Sequence, residues 1–209
     1  MSAAPKLTRL DASKRAPATR SKALNIAFGA FTPNAGTEVA PLVGFNYIHL
    51  QNRMQIRGVD DTSSTNHSID SKANNNIFGP EIGLRMETRS KWLTLGFEPK
   101  FTFGINRISD RLTTHQIFTP TELDFGEKRT RTRFSPVIDL GTYARIRLAE
   151  HINLTLGYQF MATTAVSFSQ DNVTWNSSSD VTAPPLIRLA QNKSDFFAHG
   201  ANVGLQWQF

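Results

Sequence analysis

The chain has 209 residues, enough for one all-β domain, and no run in it approaches the 18 or so consecutive apolar residues that a membrane helix needs, which excludes a helical membrane protein. Cysteine is absent, excluding a disulfide framework and thiolate metal sites. The net charge of +6 is local: residues 1–22 hold Lys6, Arg9, Lys14, Arg15, Arg20 and Lys22 against Asp11, so the rest of the chain is almost neutral and no nucleic-acid partner is expected.

The basic stretch 1–22 is read as a disordered extension ahead of a barrel domain at 23–209. It lacks the apolar segment of a secretory signal peptide, and its Arg-, Ser- and Ala-rich composition leaves an organelle transit peptide as a minor alternative. Leu24, Ile26, Phe28 and Ala30 alternate as a first strand, followed by the turn chemistry of Pro33-Asn34-Ala35-Gly36. From Ile48 to Arg57 the mostly apolar even positions Ile48, Leu50, Asn52, Met54 and Ile56 oppose His49, Gln51, Arg53, Gln55 and Arg57.

The next strand sets Phe78, Pro80, Ile82, Leu84 and Met86 against Gly79, Glu81, Gly83, Arg85 and Glu87. Leu93, Leu95, Phe97, Pro99, Phe101, Phe103 and Ile105 then alternate with Thr94, Gly96, Glu98, Lys100, Thr102 and Gly104. Phe134 to Leu148 opposes Arg133, Ser135, Asp139, Gly141, Tyr143, Arg145 and Arg147, and Ile152 to Phe160 follows after a short turn. The last strand sets Phe197, Ala201, Val203, Leu205, Trp207 and Phe209 against Asn202, Gly204, Gln206 and Gln208. Six strong strands and a weaker first one predict an antiparallel up-and-down transmembrane β-barrel.

Alternation alone does not say which face meets lipid. Strand length does, because these segments reach the 9–11 residues that cross a bilayer at a tilt of about 45°, whereas soluble strands average about 5–6. Charge on the polar parity agrees, and Arg53, Glu81, Arg85, Glu98, Lys100, Asp139 and Arg145 are predicted to face the lumen, as structural ion pairs or as pore lining. Connections alternate between short turns, such as Arg89-Ser90-Lys91 and Ala149-Glu150-His151, and polar loops such as Asp60 to Asn75 and Gln170 to Lys193, which are expected to face outward. Trp92, Phe134, Tyr158, Trp207 and Phe209 are the candidate interfacial aromatics.

The chain ends on Val203-x-Leu205-x-Trp207-x-Phe209, which resembles the terminal strand that the outer-membrane assembly machinery reads by strand pairing. Further matches are Gly44-Phe45-x-Tyr47-Ile48-x-Leu50, Asn76-Ile77-Phe78-Gly79, Thr132-x-Phe134-x-Pro136, Gly157-Tyr158-x-Phe160, Pro184-Pro185 and Asp195-Phe196-Phe197-Ala198-His199-Gly200. Over about residues 41–209 the chain resembles the planctomycete-type outer-membrane β-barrel family. The resemblance implies a bacterial outer-membrane protein, with membrane lipid and the barrel-assembly machinery as partners and without assigned enzymatic activity. Pro80 and Glu81 depart from the expected Gly and Gln. Bacterial single-chain barrels use an even number of strands, at least eight, so six or seven predict an incomplete N-terminal part.

G-x-S-x-G, H-E-x-x-H and glycine-rich phosphate loops are missing, and no cofactor is expected. Asp195 and His199 share a strand parity but stand about 13 Å apart along an extended chain, too far for a hydrogen bond. The expected role is a structural envelope component or passive pore. The alternatives are a soluble exported barrel around an apolar ligand and a hydrolase with its site on the outer-membrane rim.

Overall fold

Period-2 alternation dictates strands, and a computed structural model, which describes residues 9–34, 36–60, 65–117, 123–176, 186–190 and 192–207, forms them throughout. In chain order they are β1 (Arg9–Ala27), β2 (Phe31–Asn34), β3 (Thr37–Asp60), β4 (Thr65–Arg89), β5 (Leu93–Thr102), β6 (Ile105–His115), β7 (Phe125–Phe134), β8 (Val137–Ala149), β9 (Ile152–Val166), β10 (Val173–Asn176), β11 (Leu186–Leu189) and β12 (Ser194–Trp207). All pairings are antiparallel. One 10-stranded sheet holds every strand except the β10–β11 hairpin, and it curls into an open half-barrel.

Two of the crossings are broken in the middle. β5 and β6 both pair with β4, so together they make one crossing interrupted at Phe103-Gly104; β8 and β7 pair with the same two pieces and are interrupted at Ser135-Pro136. The break follows from the backbone. Pro136 has no N–H to donate, and the chains approach so closely that a Cβ on Gly104 would lie 2.3 Å from the Ser135 carbonyl oxygen, and one on Gly79 2.1 Å from that of Phe103. Counted as crossings, β1, β3, β4, β5/β6, β8/β7, β9 and β12 run as an up-and-down meander.

Three expectations are corrected. Residues 9–22 are not an extension: they form most of β1, in register from Arg9↔Val59 to Lys22↔Tyr47. The stretch Asp60 to Asn75 is not mainly a loop, since β4 begins at Thr65 and pairs with β3 along its whole length. The segment Gln170 to Lys193 does not only face outward, because Ile187 and Leu189 are buried against Ile69 and Leu112 on the inner wall. A strand needs an apolar outer face only where it crosses lipid, so strands that continue beyond it read as polar loop.

The register shows where the outer face changes character. Tyr47, Phe78, Ile105 and Phe134 form one row on the outer face, paired Tyr47↔Phe78, Phe78↔Ile105 and Ile105↔Phe134. Below that row, toward the short turns, the outer face is apolar and exposed, with Val43, Phe45, Ile82, Leu84, Phe97 and Ile138 among its residues. The next row above is His49, Asn76, Arg107 and Thr132. Leu93 to Ile105 is about 40 Å of strand at about 3.3 Å per residue, or about 28 Å when tilted about 45°, the thickness of a hydrocarbon layer.

Above the band the polarity inverts. Ile48, Leu50 and Ile77 turn inward and are buried with Val137, Met161 and Val166, while the outer face becomes polar. The even parity of β3 is therefore the inner one along the whole strand, and its apolar members mark an internal core beyond the membrane.

Candidate lumenal channel

Within the band, β4, β5 and β8 place Arg85, Glu98, Lys100, Asp139 and Arg145 around a cavity of about 420 Å³. Arg85 Nε donates to Glu98 Oε1 at 2.5 Å, and Lys100 Nζ lies 3.6 Å from Glu98 Oε2. Gln159 Nε2 donates to the two Asp139 oxygens at 3.1 and 2.9 Å. Glu81, buried just above, accepts from Asn46 Nδ2 at 2.9 Å and from Thr102 Oγ1 at 2.8 Å. Glu87 accepts from the Tyr143 hydroxyl and, at 2.7 Å, from Arg89. Buried carboxylates keep their charge only with such donors, so this wall is both a charged lining and a set of cross-strand braces.

Tyr143 reaches Glu87 because it lies flat over Gly96. A Cβ there would meet the Tyr143 ring at 2.1 Å, so glycine makes the space for a tyrosine to cross the lumen wall. The Arg145 guanidinium sits 5.9 Å from the centre of the same ring. Toward the short turns, Arg89, Lys91, Arg145 and Arg147 surround the lower mouth with Asn153 and Gln206.

The upper lumen is occupied by the chain itself. At Ala165 the backbone turns through a positive φ of 56°, and the residues after β9 enter the interior. Asn75 Nδ2 donates to the Ser167 carbonyl at 2.9 Å, and the Ser167 N–H donates back to Asn75 Oδ1 at 2.8 Å. The Ser167 hydroxyl donates to Asp110 Oδ1 at 2.9 Å, and the Ser71 hydroxyl donates to the Ser169 carbonyl at 2.7 Å. Ser169 N–H donates to Asn52 Oδ1 at 3.2 Å. Ser167 to Asn172 is thus bonded to β3, β4 and β6, with Phe168 packed on the internal core. Beside it, β7 turns Arg129, Arg131 and Arg133 inward, in register with Asp110, Ile108 and Asn106. Burial, then the Arg133 charge, lowers the pKa of Arg131, with Asp110 opposing.

Of the lumen residues expected from the sequence, Glu81, Arg85, Glu98, Lys100, Asp139 and Arg145 are on the inner wall. Arg53 is not. It lies on the outer face above the band, where its guanidinium pairs with Asp70, and that hydrogen bond raises its pKa. Polar parity implies the lumen only inside the band, and Arg53 is beyond it. Of the aromatics, Phe134 stands in the upper boundary row, while Trp92 and Trp207 are at the short-turn end, beside Arg147 and Ile152 respectively. Tyr158 is on the outer face, six residues beyond the start of β9, between Thr142 and Ala201. Phe209 lies outside the described residues. His199 points outward, its ring centre 6.0 Å from that of Tyr158.

Sequence reasoning missed Asn46, Gln159 and the Ser167–Asn172 segment as parts of the lumen. The first two sit at inward parity and could have been found by it. Nothing local marks the third.

Over residues 19–209 the chain matches the family described as "Putative beta barrel porin-7". The chain belongs to this family. No curated protein matches it. The span of the beta barrel porin-7 match begins inside β1, ahead of residue 41, where the resemblance begins in the sequence, and so takes part of the basic stretch into the barrel. A porin-type β-barrel accounts for an outer apolar band about as thick as a bilayer, with ionised side chains directly behind it.

Proposed function

We propose that this porin-family barrel is a passive outer-membrane pore for small polar solutes, narrowed by its own chain. The observation that carries this is the Ser167–Asn172 segment, hydrogen-bonded to the inner wall of three strands above a charged, open cavity. A polar-lined vestibule admits hydrated solutes, and an inward segment held by side-chain hydrogen bonds limits their size. No catalytic step is assigned to it. The second reading, a structural envelope component that does not conduct, is favoured by the apolar core of Ile48, Leu50, Ile77 and Val137 beside that segment.

Single-channel recording of the full chain in planar bilayers separates the two. The wild type is expected to give small, steady conductance steps, and Asn75→Ala with Asp110→Ala, which removes three of the segment's hydrogen bonds to the wall, to raise them. Absence of conductance from both proteins, with the barrel folded, rejects the pore and leaves the structural role.

A further inference from the structure

The middle of the lumen and its lower mouth differ in how their charges are met. In the middle, Glu98 lies against both Arg85 and Lys100, and Asp139 accepts from Gln159. The cavity at the lower mouth, about 430 Å³, carries the cations Arg89, Lys91, Arg145 and Arg147, and among the described residues that line it none is acidic. Arg89 is held by Glu38 at 3.0 Å and by Glu87 at 2.7 Å. Glu87 also acts electrostatically on Arg145. Lys91 and Arg147 form no ion pair with described residues, and Glu150, in the adjacent turn, is exposed and does not line the cavity.

The backbone fixes this mouth. In the turn between β4 and β5 the Ser90 N–H donates to the Leu93 carbonyl at 2.7 Å, and the Arg147 N–H donates to the Trp92 carbonyl at 2.9 Å, so Lys91 and Arg147 stand on one rim. Arg145 and Arg147 share the inward parity of β8, about 7 Å apart along the strand, with Arg147 in register with Asn153. Like charges held so close repel until an anion lies between them. An anion with several oxygens can take the planar fork of each arginine and an ammonium at once, which chloride cannot. Asn153 and Gln206 add neutral amide donors, and the volume is in the usual range of small-molecule sites. We infer that the lower mouth binds small phosphate-bearing anions, inorganic phosphate and phosphate monoesters, as solutes of the pore.

This site rests on the pore reading above, and the two fail separately. Binding is read from the phosphorus NMR line width of inorganic phosphate mixed with the detergent-solubilised full chain, conduction from planar-bilayer recording, and folding from heat-dependent gel mobility. The wild type is expected to broaden the line, to lose that broadening to glycerol 3-phosphate, and to keep it against dihexanoylphosphatidylglycerol, a lipid phosphodiester with a single charge. Lys91→Gln with Arg147→Gln is expected to weaken phosphate binding about five-fold. Lys72→Gln with Arg111→Gln, a registered pair on the outer face, is expected to leave it unchanged. If the mouth variant does not fold, Arg147→Lys, which keeps the charge and removes the fork, is expected to bind about two-fold more weakly. The assignment is overturned by a folded wild type that does not broaden the line, by displacement as readily with the lipid as with the monoester, by unchanged binding in whichever mouth variant folds, or by a loss in the outer-face variant. Binding without conductance would uphold the site and reject the pore, and conductance without binding would do the reverse.

Discussion

The lower and upper halves of the same strands follow opposite rules. Below the row of Tyr47, Phe78, Ile105 and Phe134, apolar side chains face outward and the interior is charged; above it, cations face outward and Ile48, Leu50 and Ile77 fill the interior. One backbone sheet runs through both, so the solvent outside decides which parity is apolar. In lipid the interior is the wetter side, whereas in water the ordinary soluble arrangement returns. The inward segment marks the same division, since Ser167–Asn172 lies where the interior becomes a core.

The inversion is most sharply broken by putting charge on its two apolar faces. Ile77→Asp places a carboxylate in the upper internal core and is expected to cost about 4 kcal/mol in urea unfolding from lipid vesicles. Leu84→Arg, on the outer face near the middle of the band, is expected to cost about 3 kcal/mol and to lower membrane insertion. A Leu84→Arg protein of wild-type stability would mean that this face does not meet lipid.

A smaller effect probes the charged interior of the lower half. Tyr143→Phe removes the hydroxyl that donates to Glu87 while leaving the ring over Gly96, so the loss expected is about 1.5–2 kcal/mol, that of a hydrogen bond to a charged group. Unfolding of Tyr143→Phe and Gly96→Ala side by side distinguishes the bond from the packing. The alanine is expected to be the more damaging, because its Cβ would force the ring away and lose both.

The lower half was legible in the sequence because its two periodic signals agree. Leu93 to Ile105 alternates cleanly, and Glu98 and Lys100 fall on the parity that the lumen requires, so direction and charge together located the inner wall. The upper half was legible as strand only in β3, where Ile48 and Leu50 alternate with His49 and Gln51, and there the face was reversed. A period of two carries no information about which side is wet, and the change of solvent along a strand leaves its alternation intact. Thr65 to Asn75 read as loop since Asn66, Ser68, Asp70 and Lys72 face water while Ser71 and Asn75 serve the inward segment, leaving few apolar residues to count. The segment itself is held by contacts about a hundred residues away in sequence, such as Ser71 with Ser169, and no local pattern encodes them.

The smallest expected effect is therefore the most informative about the upper outer face. Arg53 and Asp70 form an exposed ion pair above the band, and pairs of that kind contribute little in water: Arg53→Gln is expected to cost no more than about 0.5 kcal/mol, and less still at high salt. If the row of Tyr47 is the edge of the hydrocarbon, the difference between wild type and Arg53→Gln should be the same in vesicles of thin and thick acyl chains, because neither places Arg53 in lipid. A cost that grows with chain length, or exceeds about 2 kcal/mol, would mean that the bilayer covers Arg53 and that the apolar band extends above the row where the side chains invert.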